Sequence, residues 1–163
     1  DNRLNMIHEG THGIQALDLL GRKVVMNGGA GLKLLATRIQ ATVQAAQPLP
    51  GLAEPAQALA AALQRLAAAT QAAWSTGVPE EALANATPYL QAFGHVVMAW
   101  IWLDVATAAS RAPQGDVAQG GAVQGKLAAM RYFFAYELPR IDAWLGVVAR
   151  RESLPRDMQD AWF

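Results

Sequence analysis

The chain has 163 residues, with 13 basic and 13 acidic side chains and no cysteine. This length suits one compact domain with a sizeable core. The balanced charge argues against nucleic acid as the main partner, because phosphate binding needs a basic surplus or patch. The lack of cysteine excludes disulfides, thiolate metal sites and cysteine nucleophiles. It also fits a reducing compartment, so we expect a cytoplasmic protein.

Apolar residues recur every three or four positions along most of the chain, which predicts an all-α fold. We expect an antiparallel helical bundle of about five helices with short connections. No stretch alternates with period two for long enough to predict a strand. The predicted helices cover residues 12–26, 31–46, 55–74, a short turn from 79, 89–110 and 117–151, the last kinked at Pro139.

The first predicted helix carries Ile14, Leu17, Leu20 and Val24 at helical spacing, which we interpret as one core-facing side. The Asn-Gly-Gly sequence over residues 27–29 is a typical helix end, because glycine readily adopts the left-handed conformation. We therefore expect a sharp break between the first two helices.

The predicted helix over 89–110 is apolar on every side between residues 96 and 103. Gln91 and Asp104 bracket this run, which is much shorter than the roughly 20 apolar residues that a membrane span needs. We therefore expect no membrane span and a buried central helix instead. His95 on this helix is expected to lie in the core or at an interface rather than to bind a metal.

Residues 8–12, His-Glu-Gly-Thr-His, match the H-E-x-x-H pattern of zinc proteases. In such enzymes two histidines on one helix face hold the zinc, and the glutamate activates a bound water. Here a glycine lies at the centre of the motif, and no helical pattern precedes His8. A zinc hydrolase using His8, Glu9 and His12 is therefore a minor alternative, and we predict no metal site.

Residues 7–15 read I-H-E-G-T-H-G-I-Q and resemble the I-Y-E-G-T-x-x-I-Q signature of acyl-CoA dehydrogenases. The continuation over 16–23, A-L-D-L-L-G-R-K, is similar to a bacterial branch of that family with an extra C-terminal helical domain, the methylmercaptopropionyl-CoA dehydrogenase-like branch. Residues 1–4 also resemble the loop that leads into the signature. The specific resemblance covers residues 1–23, and later segments match more loosely.

The resemblance implies that Glu9 is the catalytic base, which removes the α-proton of an acyl-CoA thioester. It further implies that Gly10 approaches the substrate, and that Thr11, His12 and Gly13 lie along an FAD cofactor. Desolvation would suit a carboxylate to this task. It raises the pKa of the carboxyl group toward that of the weakly acidic α-carbon, which makes the carboxylate a stronger base. An electron-transfer flavoprotein as electron acceptor and a homo-oligomeric state are implied in the same way.

Two positions depart from the family pattern: His8 replaces the usual tyrosine, and His12 stands where small or amide residues are common. The resemblance implies two parts, a catalytic loop and last catalytic helix over 1–27 and an additional helical bundle over 28–163. We expect the chain to be a piece of a longer enzyme and to be inactive alone. The alternative is a non-enzymatic helical module for interaction or oligomerisation.

Overall fold

The computed structural model describes residues 11–112 and 117–163, without the side chains of 117–119. Every regular element within these ranges is helical, which confirms the predicted all-α class. The α-helices are α1 His12–Asp18, α2 Met26–Ala46, α3 Ala53–Ala73, α4 Pro79–Leu83, α5 Ala86–Arg111, α6 Val117–Tyr132, α7 Ile141–Arg150 and α8 Leu154–Asp157. Two π-helical turns, Leu19–Lys23 and Phe133–Glu137, continue α1 and α6, and two 3-10 turns span Leu138–Arg140 and Asp160–Trp162.

Helix α5 is the centre of the bundle and packs against α1, α2, α3, α6 and α7. Its core residues recur alternately three and four positions apart, as in other closely packed helices: Tyr89, Ala92, Val96, Ala99, Leu103 and Ala106. Among the described residues, α5 alone is long and apolar enough to cross a membrane by length and composition. A core helix passes the same test, and α5 packs against five neighbouring helices.

Helix α3 joins the rest of the bundle through small side chains. Its buried alanines include Ala56, Ala62, Ala69 and Ala73, which lie against neighbouring helices α2, α5 and α7. Because alanine adds little bulk, these helices can approach closely while the larger leucines of α3 fill the core. The alanine-rich composition of the sequence is thus used for close helix packing.

Helix α1 differs from the prediction of a single core-facing side. Leu20 and Val24 are buried as predicted, but Ile14 is 69% exposed and Leu17 is 48% exposed. The small Ala16 is fully buried in their place. Because Ala16 is small, the side of α1 that carries it can pack closely against the bundle. The bulkier Ile14 and Leu17 then face outward. The prediction was therefore wrong for Ile14 and Leu17.

The Asn-Gly-Gly segment interrupts the helical conformation, as predicted. Asn27, Gly28 and Gly29 have φ values of 53°, 64° and 78°, so all three are left-handed. Two of the three are glycines, which adopt this conformation without a steric penalty. The segment reverses the chain between α1 and the regular part of α2.

The predicted long helix over 117–151 is interrupted more extensively than by a kink at Pro139. The backbone N–H of Leu138 donates to the carbonyl of Phe133, a π-helical bond, and the 3-10 turn Leu138–Arg140 follows. Proline cannot donate the bond that an α-helix needs at its position, so the α-helical ladder ends before it. A separate helix, α7, begins at Ile141.

Candidate functional site

Two of the predicted site residues, Glu9 and Gly10, lie outside the described residues, as does His8. The other three, Thr11, His12 and Gly13, stand together where α1 begins. The Thr11 carbonyl accepts the N–H of Gln15 at 2.9 Å, while His12 and Gly13 are exposed on the first turn. The predicted base is thus joined to α1 through Gly10 and Thr11, and the position of α1 constrains where that loop can go.

Helix α1 is fixed to the bundle near its carboxyl end. The indole N–H of Trp74 donates to the carbonyl of Leu20 at 3.2 Å. Gly21 faces Leu83 of α4 so closely that an added Cβ would come within 3.2 Å of that side chain. These contacts lie within or beside the core, so α1 belongs to the same packed unit as the helices that follow it.

Asp18 forms a local ion pair on α1. Its carboxylate is 2.5 Å from Nε of Arg22 and 3.6 Å from Nζ of Lys23. The hydrogen bond from Arg22 is the main reason why the pKa of Asp18 is lowered. Among the described residues, no group of three histidine or acidic side chains could hold a metal ion.

The start of α1 fits one edge of a cofactor site but does not enclose one. His12 and Gly13 are exposed, so a flat ring or a phosphate group could lie against them. The half-open cavity of about 290 Å³ between α3 and the end of α6 is lined by no residue of α1.

His95 is partly buried beside the core, with its side chain 21% exposed. Its Nδ1 is 2.9 Å from the carbonyl of Gln91, which can only accept, so Nδ1 carries the proton. Its Nε2 lies 3.6 Å from a Glu137 oxygen, and the ring packs edge-on against Trp144 with centroids 4.7 Å apart. Sequence reasoning missed Glu137 as a partner because the two residues come from helices distant in the chain.

A sequence profile described as Acetyl-CoA dehydrogenase C-terminal like matches residues 35–159. The chain belongs to this family. The match covers the bundle from within α2 to beyond α8 and leaves α1 outside it. The membership agrees with the resemblance that the opening motif had indicated independently.

A curated relative agrees with this result. The chain is 35% identical over 131 residues to the 3-methylmercaptopropionyl-CoA dehydrogenase of Ruegeria pomeroyi. The alignment covers 74% of this chain but 20% of that protein, so the chain spans about a fifth of its relative's length. No solved structure matches the chain.

Proposed function

We propose that this chain is the C-terminal part of an FAD-dependent acyl-CoA dehydrogenase that introduces an α,β double bond into an acyl-CoA thioester. The membership of the acetyl-CoA dehydrogenase C-terminal-like family carries the proposal. The name of the Ruegeria pomeroyi relative and the motif over residues 7–15 support it. Residues 1–27 would then belong to the catalytic part, and residues 28–163 would form an additional bundle.

Glu9 is the proposed base, which takes the α-proton of the thioester onto its carboxylate. The flavin, when bound, supplies the chemistry that accepts the hydride from the β-carbon. Gly10 lets the backbone come close to the thioester, because it has no side chain in the way. The task of α1 is positional: its contacts with Trp74 and Leu83 fix the helix that follows this loop.

The partners follow from the same proposal. They are an acyl-CoA substrate, an electron-transfer flavoprotein that reoxidises the flavin, and further copies of the enzyme in a homo-oligomer. A cytoplasmic location and the absence of a membrane span are part of the proposal, and the packing of α5 against five other helices supports the second of these. In this proposal the chain alone is inactive, because Thr11, His12 and Gly13 would form only one edge of the cofactor site.

The test uses the longer enzyme with Glu9→Gln, and with Glu80→Gln on the exposed surface of α4 as a matched control. Both variants and the unsubstituted enzyme would be mixed with a panel of acyl-CoAs while the flavin absorbance is followed. We expect the flavin to bleach at normal rate in the control. In the Glu9→Gln enzyme bleaching should be slower by about 100-fold or more, the usual contribution of a general base.

Two outcomes would contradict the proposal in different ways. A longer protein without flavin would remove the dehydrogenase assignment and favour the helical interaction module. A flavoprotein in which Glu9→Gln bleaches as fast as the control would retain the assignment and remove Glu9 as the base.

A further inference from the structure

Helix α1 and the residues after it have apolar side chains on two sides. Ala16, Leu20 and Val24 face the bundle and belong to its core. A second set is exposed, and we call it the outer stripe: Ile14, Leu17, Val25 and Met26. A helix at the surface of a finished globular domain normally has only one apolar side, with polar residues opposite it.

The outer stripe has two parts, one on α1 and one where the chain enters α2. Ile14 and Leu17 are three positions apart, which places them on one side of α1. The π-helical turn, closed by the 3.0 Å bond from Val24 N–H to the Leu19 carbonyl, takes up one extra residue. Val25 and Met26 come soon after this turn, where the chain enters α2.

The charges beside the outer stripe are already paired. Asp18, next to Leu17 in the chain, binds Arg22 and Lys23 on the same segment. An apolar patch with a charged edge is the usual composition of a protein interface. The composition of the outer stripe is thus typical of a surface that is covered by another protein segment or domain.

The matched relative indicates which part this is. The family profile begins at residue 35, beyond the whole outer stripe, and the Ruegeria pomeroyi protein is about five times as long as the region aligned. The stripe also lies on the helix that directly follows the proposed base loop. We infer that the outer stripe docks against the part of the same polypeptide that encloses the flavin and the thioester, so that α1 is clamped between that part and the bundle.

This inference rests on the proposed function and adds the surface that holds Glu9 in place. With both sides of α1 covered, the loop before it would start from a fixed helix. A base misplaced by about 1 Å can lose roughly 100-fold in rate, so docking and chemistry are coupled. Loss of the outer stripe should slow proton removal without removing the carboxylate.

The first experiment compares Ile14→Asp and Leu17→Asp with Leu34→Asp, an equally exposed apolar residue on α2 at 61% exposure. In the chain by itself, all three should keep the thermal midpoint within about 2 °C, since exposed substitutions change stability little. In the longer enzyme, the two stripe variants should slow flavin bleaching by about 10-fold or more while Leu34→Asp stays normal. Their flavin content should remain that of the unsubstituted enzyme.

The second measurement is hydrogen exchange of the α1 amides, which should be at least about 10-fold slower in the longer enzyme than in the chain alone. Equal exchange together with normal bleaching in the stripe variants would overturn the docking while leaving the proposed function intact. A dimer of the chain alone that Ile14→Asp dissociates would assign the stripe to a second copy and also overturn it. Absence of flavin or of thioester-dependent bleaching in the unsubstituted enzyme would instead count against the proposed function.

Discussion

A single pair of buried hydroxyl groups joins the two central helices α3 and α5. The Tyr89 hydroxyl lies 2.8 Å from Oγ1 of Thr70, and the Thr70 hydroxyl also donates to the Leu66 carbonyl at 2.8 Å. Since Thr70 has one hydrogen and donates it to the carbonyl, Tyr89 donates to Thr70. Both side chains thereby have hydrogen-bond partners in the interior of the bundle.

We expect Tyr89→Phe to lower the free energy of unfolding at neutral pH by about 1 kcal/mol, the usual worth of a buried neutral hydrogen bond. Urea unfolding would measure it. The control is Tyr132→Phe, because Tyr132 is exposed and its hydroxyl makes no hydrogen bond to another described residue. Equal stability of Tyr89→Phe and Tyr132→Phe would show that the buried pair does not contribute.

The same residue should make stability depend on alkaline pH. Burial raises the pKa of Tyr89 to about 12, because the phenolate is poorly solvated in the core, and the Thr70 hydrogen bond offsets this only in part. In the unfolded chain a tyrosine titrates near pH 10, so the fold loses roughly 2–3 kcal/mol as the pH rises from about 10 to about 12. The Tyr89→Phe variant has no phenol at this position and does not lose this stability. Its free energy of unfolding, which is lower than that of the unsubstituted chain at neutral pH, should therefore become the higher of the two above about pH 11.

Asn85 shows why helix starts were predicted less well than helix centres. The Thr-Pro pair at 87–88 predicted that the central helix begins near Tyr89, but α5 begins at Ala86 and Asn85 precedes it. The buried Asn85 amide donates to the Glu152 carbonyl at 2.9 Å rather than capping its own helix. A partner so far along the chain leaves no trace in local sequence, which is why the boundary was missed.

At the scale of whole elements, the reversal between α1 and α2 depends on its glycines. Gly28 has a φ of +64°, and a Cβ there would meet no atom within 4 Å, so only backbone strain opposes a side chain. Gly28→Ala should therefore cost about 1 kcal/mol of unfolding free energy. Gly94→Ala on α5, which also meets nothing within 4 Å but has helical backbone, should be stabilising by about 0.5 kcal/mol.

Urea unfolding of both alanine variants checks this pair. The opposite signs matter more than the magnitudes, because the two substitutions add the same atom in open space. A stabilising Gly28→Ala would mean that the left-handed turn is not required in the folded chain.

Periodicity predicted which stretches are helical but not which side of each helix faces the bundle. In α1, Ile14 and Leu17 fitted the same spacing as Leu20, and only the packing of Ala16 against the bundle separates them. At the end of α6 and in the π-helical turn after it, the four aromatic residues between 132 and 136 are too close together in sequence to share one side. Tyr132 and Tyr136 are accordingly exposed and stack on each other with centroids 4.8 Å apart.

At the scale of the whole molecule, α5 is the helix on which the stability of the bundle depends most. Leu103 is fully buried, whereas Ile101 on the same helix is 44% exposed. Leu103→Ala should lower the unfolding free energy by about 2–5 kcal/mol through lost burial and a remaining cavity. Ile101→Ala should cost less than about 1 kcal/mol.

Urea titrations of both variants would test this contrast, with the denaturant slope as a check that each still unfolds as one unit. Similar losses for the two substitutions would mean that α5 is not surrounded as the packing indicates.

The candidate site was predictable only as far as its motif reaches. The opening residues indicated the family, which the profile match over residues 35–159 then showed for the bundle itself. The outer stripe on α1 was not predicted, because a one-dimensional pattern treats every apolar residue as core. Its meaning depends on which residues the bundle leaves exposed, and this requires the folded arrangement.

The two π-helical turns, Leu19–Lys23 and Phe133–Glu137, also bear on how this chain could have changed length during evolution. A π-helical turn holds one residue more than an α-helical turn between the same flanking residues. Removal of one residue there would leave an ordinary α-helix with its neighbours still facing the same way. Removal of one residue within α5 would rotate everything after it by about 100° and expose the core side. Among the described helices, these two turns are therefore positions where deletion of a single residue could be accepted without rebuilding the bundle.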